Sequence, residues 1–169
     1  MQTRNLVLAL GILVATGCSR ISDREGPLQV QVPAGWTLEF EYRGNIPVYT
    51  IAPPDHSSAL NLSRPPQTAK PADIPELVQR LGEGFVMVAT NAPPGFKLLD
   101  EKVTVEILAG EQFKGNYTVV HYEEGNQEVT HCLFMVSDGG PIWGGQFIGT
   151  REGWVKAIEV LKTLRIRNR

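Results

Sequence analysis

The sequence predicts one domain of the α+β class whose β-sheet is enclosed on both faces. Three observations carry this. Short stretches alternate apolar and polar residues, two longer stretches repeat apolar residues at helical spacing, and two adjacent strand-like segments are apolar on both sides. Strands of that last kind need cover above and below.

The first 17 residues stand apart from this domain. Arg4 precedes a mostly apolar run from Leu6 to Gly17, too short for the about 20 residues that cross a bilayer. A basic start, a short apolar core and small residues before a cut site describe an export signal. Residues 18–27 form a tether with charges of both signs and no periodicity, and residues 28–169 form the domain. At ~3.3 Å per residue the stretch from Ser19 to Pro27 reaches at most about 30 Å, which keeps the domain close to its anchor.

The domain opens with alternation over residues 28–32 and a turn at Pro33-Ala34-Gly35. Trp36, Leu38, Phe40 and Tyr42 then face one side, with Thr37, Glu39 and Glu41 opposite. Short strands are expected over residues 48–52 and 59–62, around a loop at residues 53–58. Residues 63–72 are proline-rich and irregular. Ile74, Leu77, Val78, Leu81, Phe85 and Val88 follow helical spacing, with Asp73 as N-cap and Pro75 in the first turn. Gly82 and Gly84 weaken the middle of this helix. After Asn91-Ala92-Pro93-Pro94-Gly95 comes a strand meander over residues 103–107, 113–123, 128–137 and 142–149. Glu124-Gly125-Asn126 is its hairpin signal. Across that hairpin Tyr117, Val119, Leu133 and Met135 are expected on one side, and Val120, Tyr122, Phe134 and Val136 on the other. A second helix starts near Glu152 with Thr150 as N-cap and Trp154, Ile158 and Leu161 as its stripe. Leu164-Arg165-Ile166 closes the chain as a short strand.

Charge excludes some partners. The chain has 16 basic and 18 acidic side chains and a formal net charge of −2, with no block of like sign. Nucleic acid demands a basic patch, and an anionic membrane surface demands a polybasic one.

Candidate chemistry is sparse. His121 and His131 fall on neighbouring strands, and Glu123 shares the face of His121. In a suitable register these three would hold zinc, with water completing the tetrahedron. A one-residue slip sends one histidine to the other face, and no HxH or HExxH spacing supports the pair. Asp55, His56, Ser57 and Ser58 are hydrolase residue types, but a triad converges from separate places in a fold. No G-x-S-x-G elbow is present, so they read as a polar turn. The glycines of Gly139-Gly140-Pro141-Ile142-Trp143-Gly144-Gly145 suit close approach by a ligand or room for Trp143 or Trp154, and packing is the favoured reading. Arg165, Arg167 and Arg169 solvate the C-terminus. No catalytic residue, cofactor site or metal ligand is assigned.

Two resemblances add to this reading. Ala15-Thr16-Gly17-Cys18 resembles the lipobox of bacterial lipoproteins. It implies cleavage before Cys18, diacylglycerol on the Cys18 thiol and a fatty acyl chain such as palmitate on the new amino terminus. Each buried methylene contributes about 0.8 kcal/mol, so several chains anchor stably where one does not. The domain would then sit on a bacterial membrane facing outward, and Ser19 after the anchor implies the outer membrane and periplasm in a Gram-negative host. Acylation of Cys18 leaves Cys132 alone in an apolar run, a buried and unreactive thiol.

Pro33-Ala34-Gly35-Trp36, Leu108-Ala109-Gly110-Glu111 and the tail from Trp154 to Ile166 resemble motifs of the PsbP-like superfamily. That family includes the extrinsic photosystem II subunit, the bacterial lipoprotein DcrB and a eukaryotic Ran-binding import factor. The resemblance covers most of residues 28–167. It implies an α/β/α sandwich, with a central antiparallel sheet covered by helices on both faces. It implies no reaction, because these relatives are mostly accessory or binding proteins and one fold hosts many functions. The expected function is that of a non-enzymatic, membrane-anchored accessory or protein-binding domain of the cell envelope, with an envelope protein as partner and no nucleic acid. The alternative is a small-molecule or metal-binding periplasmic lipoprotein that uses a cavity between the long helix and the sheet.

Overall fold

The computed structural model describes residues 26–64, 69–92 and 94–167. Cys18, the signal segment and most of the tether lie outside these residues. Chain order is β1 (Leu28–Gln29), β2 (Thr37–Arg43), β3 (Ile46–Ala52), β4 (Ala59–Ser63), α1 (Ile74–Thr90), β5 (Phe96–Leu98), β6 (Val105–Ala109), β7 (Lys114–Glu124), β8 (Gln127–Ser137), β9 (Ile142–Gly149), α2 (Arg151–Lys162) and β10 (Arg165–Ile166). Eight strands form one sheet in the order β2-β3-β4-β9-β8-β7-β5, with β6 pairing the other end of β7 beside β5. Every pairing is antiparallel. β1 and β10 make a separate two-stranded ribbon.

The register sorts side chains into two faces. Phe40, Tyr49, Leu62, Gly145, Phe134 and Tyr117 lie in one row across the sheet, and Leu38, Ile51, Leu60, Phe147, Cys132 and Val119 in the next. This face holds the main core, closed by α2, by Leu28 and by Leu164. Trp154 of α2 packs on Tyr117 and Phe147, with ring centroids 5.3 and 5.6 Å away. Thr150 caps α2 as expected, its hydroxyl accepting the Gly153 N–H at 3.0 Å. The opposite face receives α1, through Ile74 and Val78 against Ile142 and Phe85 against Tyr122 and His131. Asp73 sits at the N-cap position of α1, but its carboxylate reaches back to the Lys70 N–H instead.

Two expectations need correction. The α/β/α sandwich with helices on both faces does not form: the described residues are mostly antiparallel β-structure, with ten strands and only two α-helices. The reason is width. Seven strands in a row at ~4.8 Å spacing span about 29 Å, whereas one helix with its side chains covers about 10–12 Å. Neither helix amounts to a layer. Among the described residues, α1 lies over β5 to β8 and no helix lies over the β2-β3-β4 side of its face, while extended chain shares the cover of the α2 face.

The second correction is the hairpin. Glu124 pairs with Gln127, so the turn holds two residues, Gly125 and Asn126, and Gly125 takes the positive φ (65°) such a turn needs. The expected strand bounds, 113–123 and 128–137, already pair residue 123 with residue 128, but the expected sidedness does not follow that register: Tyr117 lies opposite Phe134 and Val119 opposite Cys132. Tyr117 and Val119 therefore share a face with Phe134 and Val136, not with Leu133 and Met135.

Candidate functional site

The same register decides the histidine pair. His121 lies opposite Thr130 and His131 opposite Val120, so the two imidazoles point to opposite faces. His121 is on the α2 face, with Nδ1 3.2 Å from Thr130 Oγ1. Burial and the nearby Arg151 guanidinium hold its pKa below the usual value. Glu123 and Glu128 share that face as directly opposed partners, but each carboxylate has its own cation, Lys97 at 3.8 Å and Arg151 at 2.7 Å. Among the described residues no group of three His, Cys, Asp or Glu is placed to hold a metal.

The Asp55–Ser58 loop is a turn. Asp55 accepts the Ser57 N–H at 3.0 Å, which lowers its pKa, and His56 adopts a left-handed φ of 53°. Ser57 is exposed, whereas Ser58 is buried and accepts the Thr150 N–H at 3.3 Å. The Ser58 side chain is packed against Gly149 and Gly153 at the start of α2, which makes it an anchor for that helix with no base beside it. Gly145 has a packing role too. A Cβ there would strike the Asn61 carbonyl and, at 2.8 Å, the Phe134 ring, so the large side chain it makes room for is Phe134 and not a tryptophan. Cys132 is fully buried, and burial raises its thiol pKa.

The middle of α1 is packed closely on the sheet. Gly82 lies against Val103 and Thr118, and Phe85 stands edge-on to His131 at 4.5 Å. An open groove of about 310 Å³ lies elsewhere, between residues 31–33 and the Val155–Thr163 side of α2. No helix of the described residues is long and apolar enough to cross a membrane.

The part of the α1 face that no helix of the described residues covers has a different character. One row runs Glu39, Thr50, Asn61 and Gln146, each directly opposite the next, and continues through Leu133 to Thr118, which is buried beneath α1. The Thr50 hydroxyl donates to Asn61 Oδ1 at 3.0 Å, and His131 Nε2 lies 3.2 Å from Gln146 Oε1. His131 is only 7% exposed, and burial pushes its pKa down to about 4 against the weaker opposing effect of the Gln146 hydrogen bond. It is therefore neutral near pH 7, and the proton belongs on Nε2. That tautomer donates to Gln146 and leaves Nδ1, which has no partner among the described residues, as a bare lone pair. The other tautomer would bury an unpaired N–H, the rarer kind of unsatisfied group.

Both amide oxygens are thus engaged, and the NH₂ groups of Asn61 and Gln146 have no protein acceptor among the described residues. These are the functional candidates that the reading of the sequence missed. Each is a polar residue between buried neighbours, Asn61 between Leu60 and Leu62 and Gln146 between Gly145 and Phe147. Only the β4–β9 pairing brings them together.

No model of a known protein family matches the chain, and no curated protein sequence matches it. Among solved structures, it is similar to a crystal structure of a Bacteroides thetaiotaomicron protein at 15% identity and a TM-score of 0.51. That match covers 85% of this chain and 46% of the other, so the chain spans under half the length of that protein. It also aligns with the solution structure of cyanobacterial PsbP (CyanoP) from Synechocystis at 13% identity and a TM-score of 0.46, over 93% of this chain and 100% of that one. At 15% identity the likeness to the Bacteroides protein is one of fold.

Proposed function

We propose that this protein is a lipid-anchored, non-catalytic accessory domain of the bacterial envelope that binds a protein partner. The observation that carries the reading is Ala15-Thr16-Gly17-Cys18 at the end of a short apolar run behind Arg4. Acylated Cys18 would hold the domain within about 30 Å of the membrane, at ~3.3 Å per residue of tether. Membership of the PsbP-like superfamily belongs to the same reading. Its support is the three short motifs together with the mainly antiparallel sheet carrying one long and one short helix. A protein-binding role is further supported by a polar sheet surface without a covering helix. The metal-binding alternative has lost its motive, because His121 and His131 do not share a face.

The test is the intact mass and membrane fractionation of the native protein beside Cys18→Ala. A native mass that includes acyl chains, with membrane association lost in the variant, is the expected result. An unmodified, freely extractable native chain would overturn the anchor. Pull-down of the native lipoprotein from its own membranes tests the second half, and no enrichment over a mock control would overturn it.

A further inference from the structure

We propose that Asn61 and Gln146 dock the backbone carbonyls of an extended, uncharged segment of the partner protein, an inference that rests on the protein-binding reading above and deepens it. The two side chains are directly opposed on β4 and β9, which places their Cβ atoms about 5 Å apart. Thr50 fixes one amide and His131 the other, each through the oxygen. What the pair offers outward is therefore a set of N–H donors held in one orientation, so little side-chain freedom is lost when an acceptor arrives.

The surroundings narrow the acceptor. A cation would have only the Glu39 carboxylate in this row, since both amide oxygens are already engaged in hydrogen bonds. A second copy of the same face would set donors against donors. An anion would meet Glu39 in the same row, which disfavours it, while Glu41 in the next row is already paired with Arg43 at 2.6 Å. A sugar ring has no aromatic platform, because no residue of β2, β3, β4 or β9 that faces this side is aromatic. A neutral peptide carbonyl fits. Val48 and Ala52 beside the amide row are buried, whereas Met135 on one side and Ala59 and Ile148 on the other are part-exposed. These part-exposed apolar positions suit the side chains of an extended chain, and Gly144 leaves the surface low beside them.

The probe is acetyl-tetraalanine amide, added to the full chain carrying Cys18→Ala while the side-chain NH₂ resonances of Asn61 and Gln146 are followed by NMR. Both sets are expected to shift saturably, and Asn61→Leu/Gln146→Leu is expected to weaken binding about tenfold or more, as the loss of two hydrogen bonds implies. An unchanged far-ultraviolet circular dichroism spectrum shows that the variant is folded. No shift with the peptide overturns the proposal. Larger shifts with acetate or with N-acetylglucosamine overturn it in favour of an anion or a glycan. Pull-down separates the two levels of inference. A partner captured equally by wild type and double variant overturns the amide site and leaves the protein-binding reading intact. No partner for wild type, with the peptide shifts present, overturns the protein-binding reading and leaves the site standing.

Discussion

α1 contains two glycines, two positions apart, and replacing each by alanine should change stability in opposite directions. Alanine in a helix interior is better than glycine by about 1 kcal/mol, mostly because the unfolded chain has less freedom to lose. At Gly84 nothing lies within 4 Å of the new Cβ, so Gly84→Ala should gain that full amount. At Gly82 the Cβ would lie 2.6 Å from Val103 Cγ1 and 3.0 Å from Thr118 Cγ2. Both neighbours are β-branched and stiff about χ1, so relief requires α1 to lift. Overpacking of this kind costs about 1–3 kcal/mol, and Gly82→Ala should come out level to about 2 kcal/mol less stable. For a domain of this size about 3 °C accompanies each kcal/mol. The two variants should therefore separate by about 3–9 °C in a thermal melt, Gly84→Ala above wild type and Gly82→Ala at or below it. Val103→Ala should lessen the penalty of Gly82→Ala, giving a favourable coupling of about 0.5 kcal/mol or more in a double-mutant cycle. If Gly82→Ala raised the melting temperature as much as Gly84→Ala does, α1 would not be seated on Thr118 and Val103.

Three other outcomes follow from single side chains. Tyr49→Phe removes the hydroxyl that accepts the buried Leu28 N–H at 2.8 Å; urea denaturation should show a loss of about 1–3 kcal/mol, and an unchanged midpoint would mean that water replaces the phenol. Its phenol pKa, pushed up to about 12 chiefly by burial, should keep tyrosinate absorbance from this residue below detection until strongly alkaline pH. His131 is held near pKa 4 in the folded state against about 6.5 unfolded, so its contribution is fully present above pH 6.5. It is lost as pH falls towards 4, where the unfolded chain binds a proton that the folded chain refuses, a total of about 3 kcal/mol. Urea melts of wild type and His131→Asn at pH 7 and pH 4.5 should differ by a gap that shrinks by about 2–3 kcal/mol at the lower pH; a constant gap would refute the burial argument.

Much of the fold was legible because it is local. Thr150 before an apolar stripe gave α2 its start, and Ile74 to Val88 gave α1 its sheet-facing side. The hairpin was visible as a glycine turn and its strand bounds were right, but the sidedness across it was not, because apolar residues on both faces hide the alternation and put Leu133 and Met135 on the wrong face. β5 escaped because Phe96-Lys97-Leu98 is too short to show a period. Gly82 looked like a weak point in a helix, whereas the structure makes it a contact surface. The amide pair was out of reach altogether. Neither Asn61 nor Gln146 is unusual alone, and their meeting depends on β9 inserting between β4 and β8.

The β1–β10 ribbon sets how this body would respond to a pull. Leu28 pairs with Ile166, and the Arg167 N–H donates to the Pro27 carbonyl at 3.0 Å. Both ends of the described chain are thereby fastened at one place, over the face that carries Phe40 and Tyr49. Tension arriving along the N-terminal segment loads the Tyr49–Leu28 and Arg167–Pro27 hydrogen bonds before it reaches the eight-stranded sheet. The first event would be the peeling of a two-residue ribbon, a mechanical fuse that yields while β3, β4 and β9 keep their register. Because the line of pull leaves from the α2 side, a domain loaded through its N-terminal segment would turn that side towards the point of attachment and hold Asn61 and Gln146 outward.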